Sequence, residues 1–154
     1  MANDFITIYE GTDLDVGARE VTEPDGRTKR HQTAVVAAGQ LVLPSSPQIS
    51  GVTATGDYPT NPIDVRGWGV IVVKSVFGGE TDSCTIRFVL FLGDQSTVIG
   101  ESADISISAT SRQEGSNYLG EVVVFDNSKV GASYIKLNVV NAPSNGVSFY
   151  IGGF

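Results

Sequence analysis

Residues 134–139 read Tyr-Ile-Lys-Leu-Asn-Val, and residues 147–151 read Val-Ser-Phe-Tyr-Ile. In the first run Ile135, Leu137 and Val139 fall on one side and Tyr134, Lys136 and Asn138 on the other. In the second, Val147, Phe149 and Ile151 alternate with Ser148 and Tyr150. A period of two places successive side chains on opposite faces of a strand, so both runs are half-buried β-strands. Between them, Asn145-Gly146 supplies residues tolerant of positive φ, which suits a hairpin return. On that reading Tyr134 and Tyr150 lie on paired strands.

Working back toward the N-terminus, the same signal recurs. Cys84, Ile86, Phe88, Leu90 and Leu92 form one apolar face, opposite Thr85, Arg87, Val89 and Phe91. Ile105, Ile107 and Ala109 alternate with Asp104, Ser106 and Ser108, and residues 121–125 form a short Val-rich run. Residues 67–77 are apolar on both sides, as expected of a central strand covered on both faces. Turn residues separate the runs at Gly78-Gly79, Gly93-Asp94, residues 114–117, Asp126-Asn127 and residues 141–146. Gly152-Gly153 reads as terminus. No stretch sustains a 3.6-residue period. The pattern predicts an all-β fold, an antiparallel β-sandwich or jelly-roll-like barrel over residues 63–154.

Residues 1–62 read as an irregular N-terminal segment and possible arm. A short apolar run at Phe5–Tyr9 is compatible with one strand, and the charged stretch from Glu10 to His31 is punctuated by Gly17, Pro24 and Gly26. From Gln32 to Gly56 there is no formal charge, and Pro44 and Pro47 enforce an extended path. Val35, Val36, Leu41, Val42 and Leu43 would forgo roughly 1.5–3 kcal/mol each by staying in water. The segment therefore lies against a surface, and either its own sandwich or a neighbour can supply one. The expectation is that it crosses to a neighbouring subunit or a larger shell. Deletion of residues 1–60 would then leave a folded domain.

The chain has 154 residues, with 17 Asp and Glu against 10 Lys and Arg, a net charge of −7. Phosphate binding depends on excess Lys and Arg, so direct nucleic-acid binding is not expected. The basic cluster Arg27-Thr28-Lys29-Arg30-His31 reads as part of a solvated mixed-charge segment. No apolar run approaches the ~20 residues of a membrane helix. The opening Met-Ala-Asn-Asp-Phe lacks the basic stretch and apolar run of a signal peptide, so a cytoplasmically made protein without membrane attachment is expected.

The chain is poor in chemistry-bearing residues. One His and one Cys cannot assemble a Cys/His zinc site. His31 sits in a turn-rich polar stretch and reads as a surface residue, not a general base. Cys84 lies on an apolar strand face, where cysteine behaves as a small hydrophobe. Asp13 with Asp15, or Asp57 with Asp64, could be imagined as a glycosidase pair, and Asp13-Leu14-Asp15 as a calcium site. Glycoside hydrolysis needs two carboxyls across a cleft at a separation that a sequence does not show, and the calcium candidate lacks the further ligand spacing of an EF-hand loop, so solvated loop carboxylates are the expectation. Trp68 reads as core or rim packing or as a sugar platform. Tyr134 and Tyr150 read as a cross-strand pair or as a platform. No catalytic, metal or cofactor residue is assigned, and the expectation is not an enzyme.

Three stretches carry a resemblance: Val65-Arg-Gly-Trp-Gly-Val-Ile-Val-Val-Lys-Ser75, Thr85-Ile-Arg-Phe-Val-Leu-Phe-Leu-Gly-Asp94, and residues 132–154. Their order after an irregular extended segment resembles small virion proteins of tailed bacteriophages, particularly head decoration (cementing) proteins. The resemblance covers roughly the last 90 residues as a matter of pattern. It implies a structural role on the capsid surface, with the major capsid protein and neighbouring copies of itself as partners, in a homo-oligomer such as a trimer. It implies no catalytic residue and no cofactor. The partner-contact candidates are Val35, Val36, Leu41, Val42, Leu43 and Trp68. The alternative is a carbohydrate-binding module or phage tail adhesin, with exposed aromatics carrying recognition.

Overall fold

In the computed structural model, which describes residues 6–7, 18–22, 28–32 and 41–154, the strand Val70–Phe77 is largely buried on both faces. The chain divides into two compact units, Met1–Ala38 and Gly39–Phe154. The first contains β1 (Ile6–Thr7), β2 (Ala18–Thr22) and β3 (Thr28–Gln32), paired antiparallel in the order β1-β2-β3. The basic cluster therefore lies mostly on a strand, with the Arg30 position opposite Glu20 and His31 opposite Arg19.

The second unit holds β4 (Ile49–Val52), β5 (Gly56–Asp64), β6 (Val70–Phe77), β7 (Ser83–Phe91), β8 (Val98–Glu101), β9 (Ile105–Glu114), β10 (Asn117–Gly120), β11 (Val123–Asp126), β12 (Tyr134–Asn141) and β13 (Val147–Gly153). They follow the path β4-β13-β6-β10-β9-β7-β12-β5, with β11 added to β6 and β8 to β7, and every pairing is antiparallel. The two ends of the path, β4 and β5, are consecutive in the chain, so the sheet nearly closes on itself. The fold is an all-β antiparallel barrel or sandwich, as the alternation predicts.

The inward faces meet in one core. Ile71, Val73 and Phe77 from β6, Ile86, Phe88 and Leu90 from β7, Leu137 and Val139 from β12, and Phe149 and Ile151 from β13 are all buried in it. Phe125 of β11 closes one end by stacking on Phe88, with ring centroids 4.6 Å apart. Cys84 and Ile107 lie in the same cluster.

Three expectations are corrected. β12 and β13 do not pair: β12 lies between β5 and β7, and β13 between β4 and β6. The turn at Asn145-Gly146, with Gly146 at φ 85°, carries the chain from one side of the core to the other. Both strands bury an apolar face, and two faces directed at each other across a core satisfy this as well as adjacent ones.

Residues 49–62, expected to be irregular, form β4 and most of β5. They are the terminal strands of the path, where short, proline-bearing sequences are tolerated because one side needs no ladder. Register runs Ile63–Ile135 and then Tyr58–Leu137, so residues 59–62, with Pro59 and Pro62, bulge out of the pairing. Gly152-Gly153 is strand, not terminus. A side chain at 152 would collide with the Val42 carbonyl, and one at 153 would meet the Trp68 ring at 2.7 Å.

Candidate functional site

The described part of the uncharged segment lies along its own sheet. Odd-numbered residues of β13 direct their backbone groups toward this edge. Val147 and Phe149 meet Val52 and Ile49 of β4, and Gly153 forms a bridge with Val42. Between them, Pro44 and Pro47 lead the backbone away, and the Gln48 side chain takes its place. Gln48 Nε2 donates to the Ile151 carbonyl at 2.6 Å, and the Ile151 N–H donates to Gln48 Oε1 at 2.9 Å. The Gln48 N–H itself donates to the Phe149 carbonyl at 3.1 Å. A primary amide thus stands in for one peptide group.

This arrangement locates the contact candidates. Leu41 and Val42 are 40% and 65% exposed, Leu43 is half-buried over Gly152, and Trp68 is half-buried against the core beside Gly153. Val35 and Val36 lie outside the described residues. For residues 41–43, the covering surface is the chain's own β13 edge.

The outer face of β13, β6 and β11 is apolar; on β6 itself Val72 and Val76 are already buried, so the exposed apolar surface of this face is Val122 and Val124. Inward positions on β6 are Ile71, Val73, Ser75 and Phe77, so Val70, Val72, Lys74 and Val76 point outward. Register places Val124 and Gly152 beside Val72, Tyr150 beside Lys74 and Leu119 beside Val76. Val122 and Val124 are 63% and 66% exposed. Lys74 sits 4.7 Å over the Tyr150 ring and bonds Glu114 at 2.5 Å. Lys129 lies 3.8 Å from Asp126. The face is close to neutral on a chain of net charge −7. The sequence marked β6 as two-sided but did not mark Val122 and Val124 as surface, because a Val-Val pair reads equally well as core.

On the opposite sheet the outer side carries charged and polar pairs beside a small apolar cluster of Val89, Phe91 and Tyr134. Arg87 bonds Asp104 at 2.7 Å and Glu101 at 3.3 Å, and Asn138 donates to Asp57 at 2.6 Å. Tyr134, expected to be a pair or platform with Tyr150, is buried with Val89 and Phe91 under the Arg66 guanidinium, 5.2 Å away. The two tyrosines belong to different faces and cannot act together.

The imagined catalytic groups are dispersed or already engaged. Cys84 is buried, and desolvation pushes its thiol up to about 12, far from a thiolate at neutral pH. Asp57 and Asp64 lie opposite Asn138 and Tyr134, four residues apart on β12, or about 13 Å along the strand. That exceeds the spacing of glycosidase carboxylates. The hydrogen bonds from Arg66 hold Asp64 down at about 2. Asp13 and Asp15 lie outside the described residues. His31 is on β3, in the first unit.

Among the described residues no group of three or more His, Cys, Asp or Glu is placed to hold a metal ion. A shallow cavity of about 190 Å³ opens beside Phe77, Asn117, Asn145 and Ser148. Asn145 already donates to Asp82 at 3.2 Å, and Ser148 accepts from the Gly51 N–H at 2.9 Å. It has no titratable group in its lining and is below the usual size of a ligand pocket. No family model, no curated protein and no solved structure matches the chain.

Proposed function

We propose that the protein is a structural component of a phage-like virion, binding and stabilising a capsid by surface contacts on its outside. Its partners are the major capsid protein and other copies of itself. The observation that carries this reading is the neutral apolar outer face of β13, β6 and β11, with Val122 and Val124 each about two-thirds exposed. Exposed β-valines gathered on one face favour docking, since covering each is worth roughly 1–2 kcal/mol. The acidic balance of the chain lies elsewhere on the molecule and suits a protein outside the shell, away from packaged nucleic acid. A carbohydrate platform has less support, because Tyr134 is buried and Tyr150 lies beneath Lys74.

The test is fractionation of particles made from the native genome. The chain should co-sediment with intact heads, and Val122→Asp should move it to the soluble fraction. Recovery at tail tips, or head binding unaffected by Val122→Asp, would exclude this reading.

A further inference from the structure

β11 is an open edge of the sheet, short but without proline, glycine or bulge, and its one charge, Asp126, is compensated by Ser128 and Lys129. Natural edges are blunted by proline, glycine kinks, bulges or charge. The edge at β5 loops out at residues 59–62 with two prolines, and β4 is kinked at Gly51, where φ is 60°. β8 has a register break and ends in Glu101, and the far part of β9 carries Arg112 and Glu114. β11, by contrast, follows β6 over four consecutive residues without a break, and reads Val-Val-Phe-Asp. Among the described residues nothing pairs with its other side.

The surroundings select the partner. Two copies of a chain of net charge −7 repel, so they can approach only where local charge is compensated. Beside β11 the Asp126 carboxylate is met by the Ser128 hydroxyl and N–H and by Lys129. A basic partner would be drawn to the acidic surface elsewhere; a second copy brings the same neutral edge. Unpaired N–H and C=O groups along an antiparallel edge are self-complementary under a two-fold axis.

We infer that two copies of this chain join through β11, paired antiparallel about a two-fold axis at Val124, so that one sheet runs through both. The register follows from what is free. The Glu121 N–H is already given to the Ser108 carbonyl at 3.2 Å, so the usable edge is residues 122–126, and its centre is Val124. This axis sets Val124 beside Val124, Val123 beside Phe125 and Val122 beside Asp126, with no carboxylate opposite another. β-Branched and aromatic cross-strand pairs of this kind are favourable. The order is two, not the three that the resemblance implies. The pairing is independent of what the outer face docks on, though it would double that face and raise avidity for a lattice.

Sedimentation velocity on the full chain, without capsids, tests it. The expected mass is twice 16.2 kDa, falling toward a single chain on dilution. Val124→Lys should abolish the dimer, while Val140→Lys, at an exposed valine on β12, should leave it intact. In Val124→Cys, mild oxidation should trap a disulfide-linked dimer in high yield, because residues at the axis meet at bonding distance. A single-chain mass at every concentration, a trimer, or a dimer unaffected by Val124→Lys and not trapped by Val124→Cys would overturn it. Head binding by a monomer would sink this inference and leave the capsid reading standing. A dimer without head binding would do the reverse.

Discussion

Gln48 does with its side chain what the backbone does elsewhere along β13. The carbonyl and N–H of Ile151 both point at this edge, in a part-buried setting, and the Gln48 amide answers both. A backbone group left unpaired out of water costs about as much as a lost hydrogen bond, and here there are two. Gln48→Leu keeps the size and removes both partners, so it should lower stability by about 1–3 kcal/mol. A urea melt checks this, and an unchanged midpoint would mean that water replaces the amide at no cost. The residue could not be found in the sequence. A lone glutamine in an uncharged stretch looks the same whether it is solvated or bonded; only the proline-enforced gap beside it gives it a task.

At the scale of elements, three turns are tied by aspartates whose carboxylates accept from the chain just ahead. Asp94 takes the Thr97 hydroxyl and the N–H groups of Thr97 and Ser96, at 2.9 and 3.0 Å, before β8. Asp126 takes the Ser128 hydroxyl and N–H after β11, and Asp64 takes the Arg66 guanidinium after β5. The Thr97 hydroxyl is the main cause holding Asp94 at about 2, Arg66 does the same for Asp64, and the Ser128 hydroxyl lowers Asp126. A carboxyl lowered in the folded state adds stability above its ordinary value of 3.8, and that stability is lost as pH falls through the folded value. The urea midpoint should therefore decline between about pH 4 and pH 2. Asp94→Asn should flatten part of that decline. Added salt should weaken the share due to the exposed Asp64–Arg66 pair and spare that of Asp94, whose partners are neutral. A midpoint constant across this range would count against all three turns holding in solution.

Of these turns the one at Asp64 was not marked; those at Asp94 and Asp126 were legible because Asp, Asn, Ser and Gly announce themselves. So were β6, β7, β12 and β13, whose alternation reports which side faces the core. Alternation does not report which strand lies alongside, and this is why β12 and β13 read as a hairpin. β4 was hidden for a different reason. Its inward residues, Ile49 and Val52, are three apart because the chain kinks at Gly51, which breaks the period of two. The exposed face was half legible: β6 is apolar on both sides in the sequence, but only the register shows that Val124 lies outside it and Phe125 inside.

For the whole molecule, the placement of β4 and β5 changes where the chain can be cut. The sequence sets the domain boundary at residue 62, so that removing residues 1–60 would leave the β domain folded. In the structure that cut takes Gln48, Ile49 and Val52 with it; Ile49 and Val52 are 3% and 5% exposed in the core. It also removes Asp57 and Tyr58, which pair with Asn138 and Leu137 of β12. Two buried side chains at roughly 1.5–3 kcal/mol each, together with the lost pairing, amount to much of a typical stability of about 5–15 kcal/mol. The 1–60 deletion should therefore be unfolded or aggregated. Deletion of residues 1–38 stops at the boundary between the compact units and keeps every described contact of the second. That product should give a cooperative melt by urea or heat. A folded 1–60 product would mean that β4 and β5 are dispensable and that the edge of β13 stands without Gln48. If the 1–38 product folds but no longer sediments with heads, the first unit carries an attachment of its own, and the apolar face of the second does not act alone.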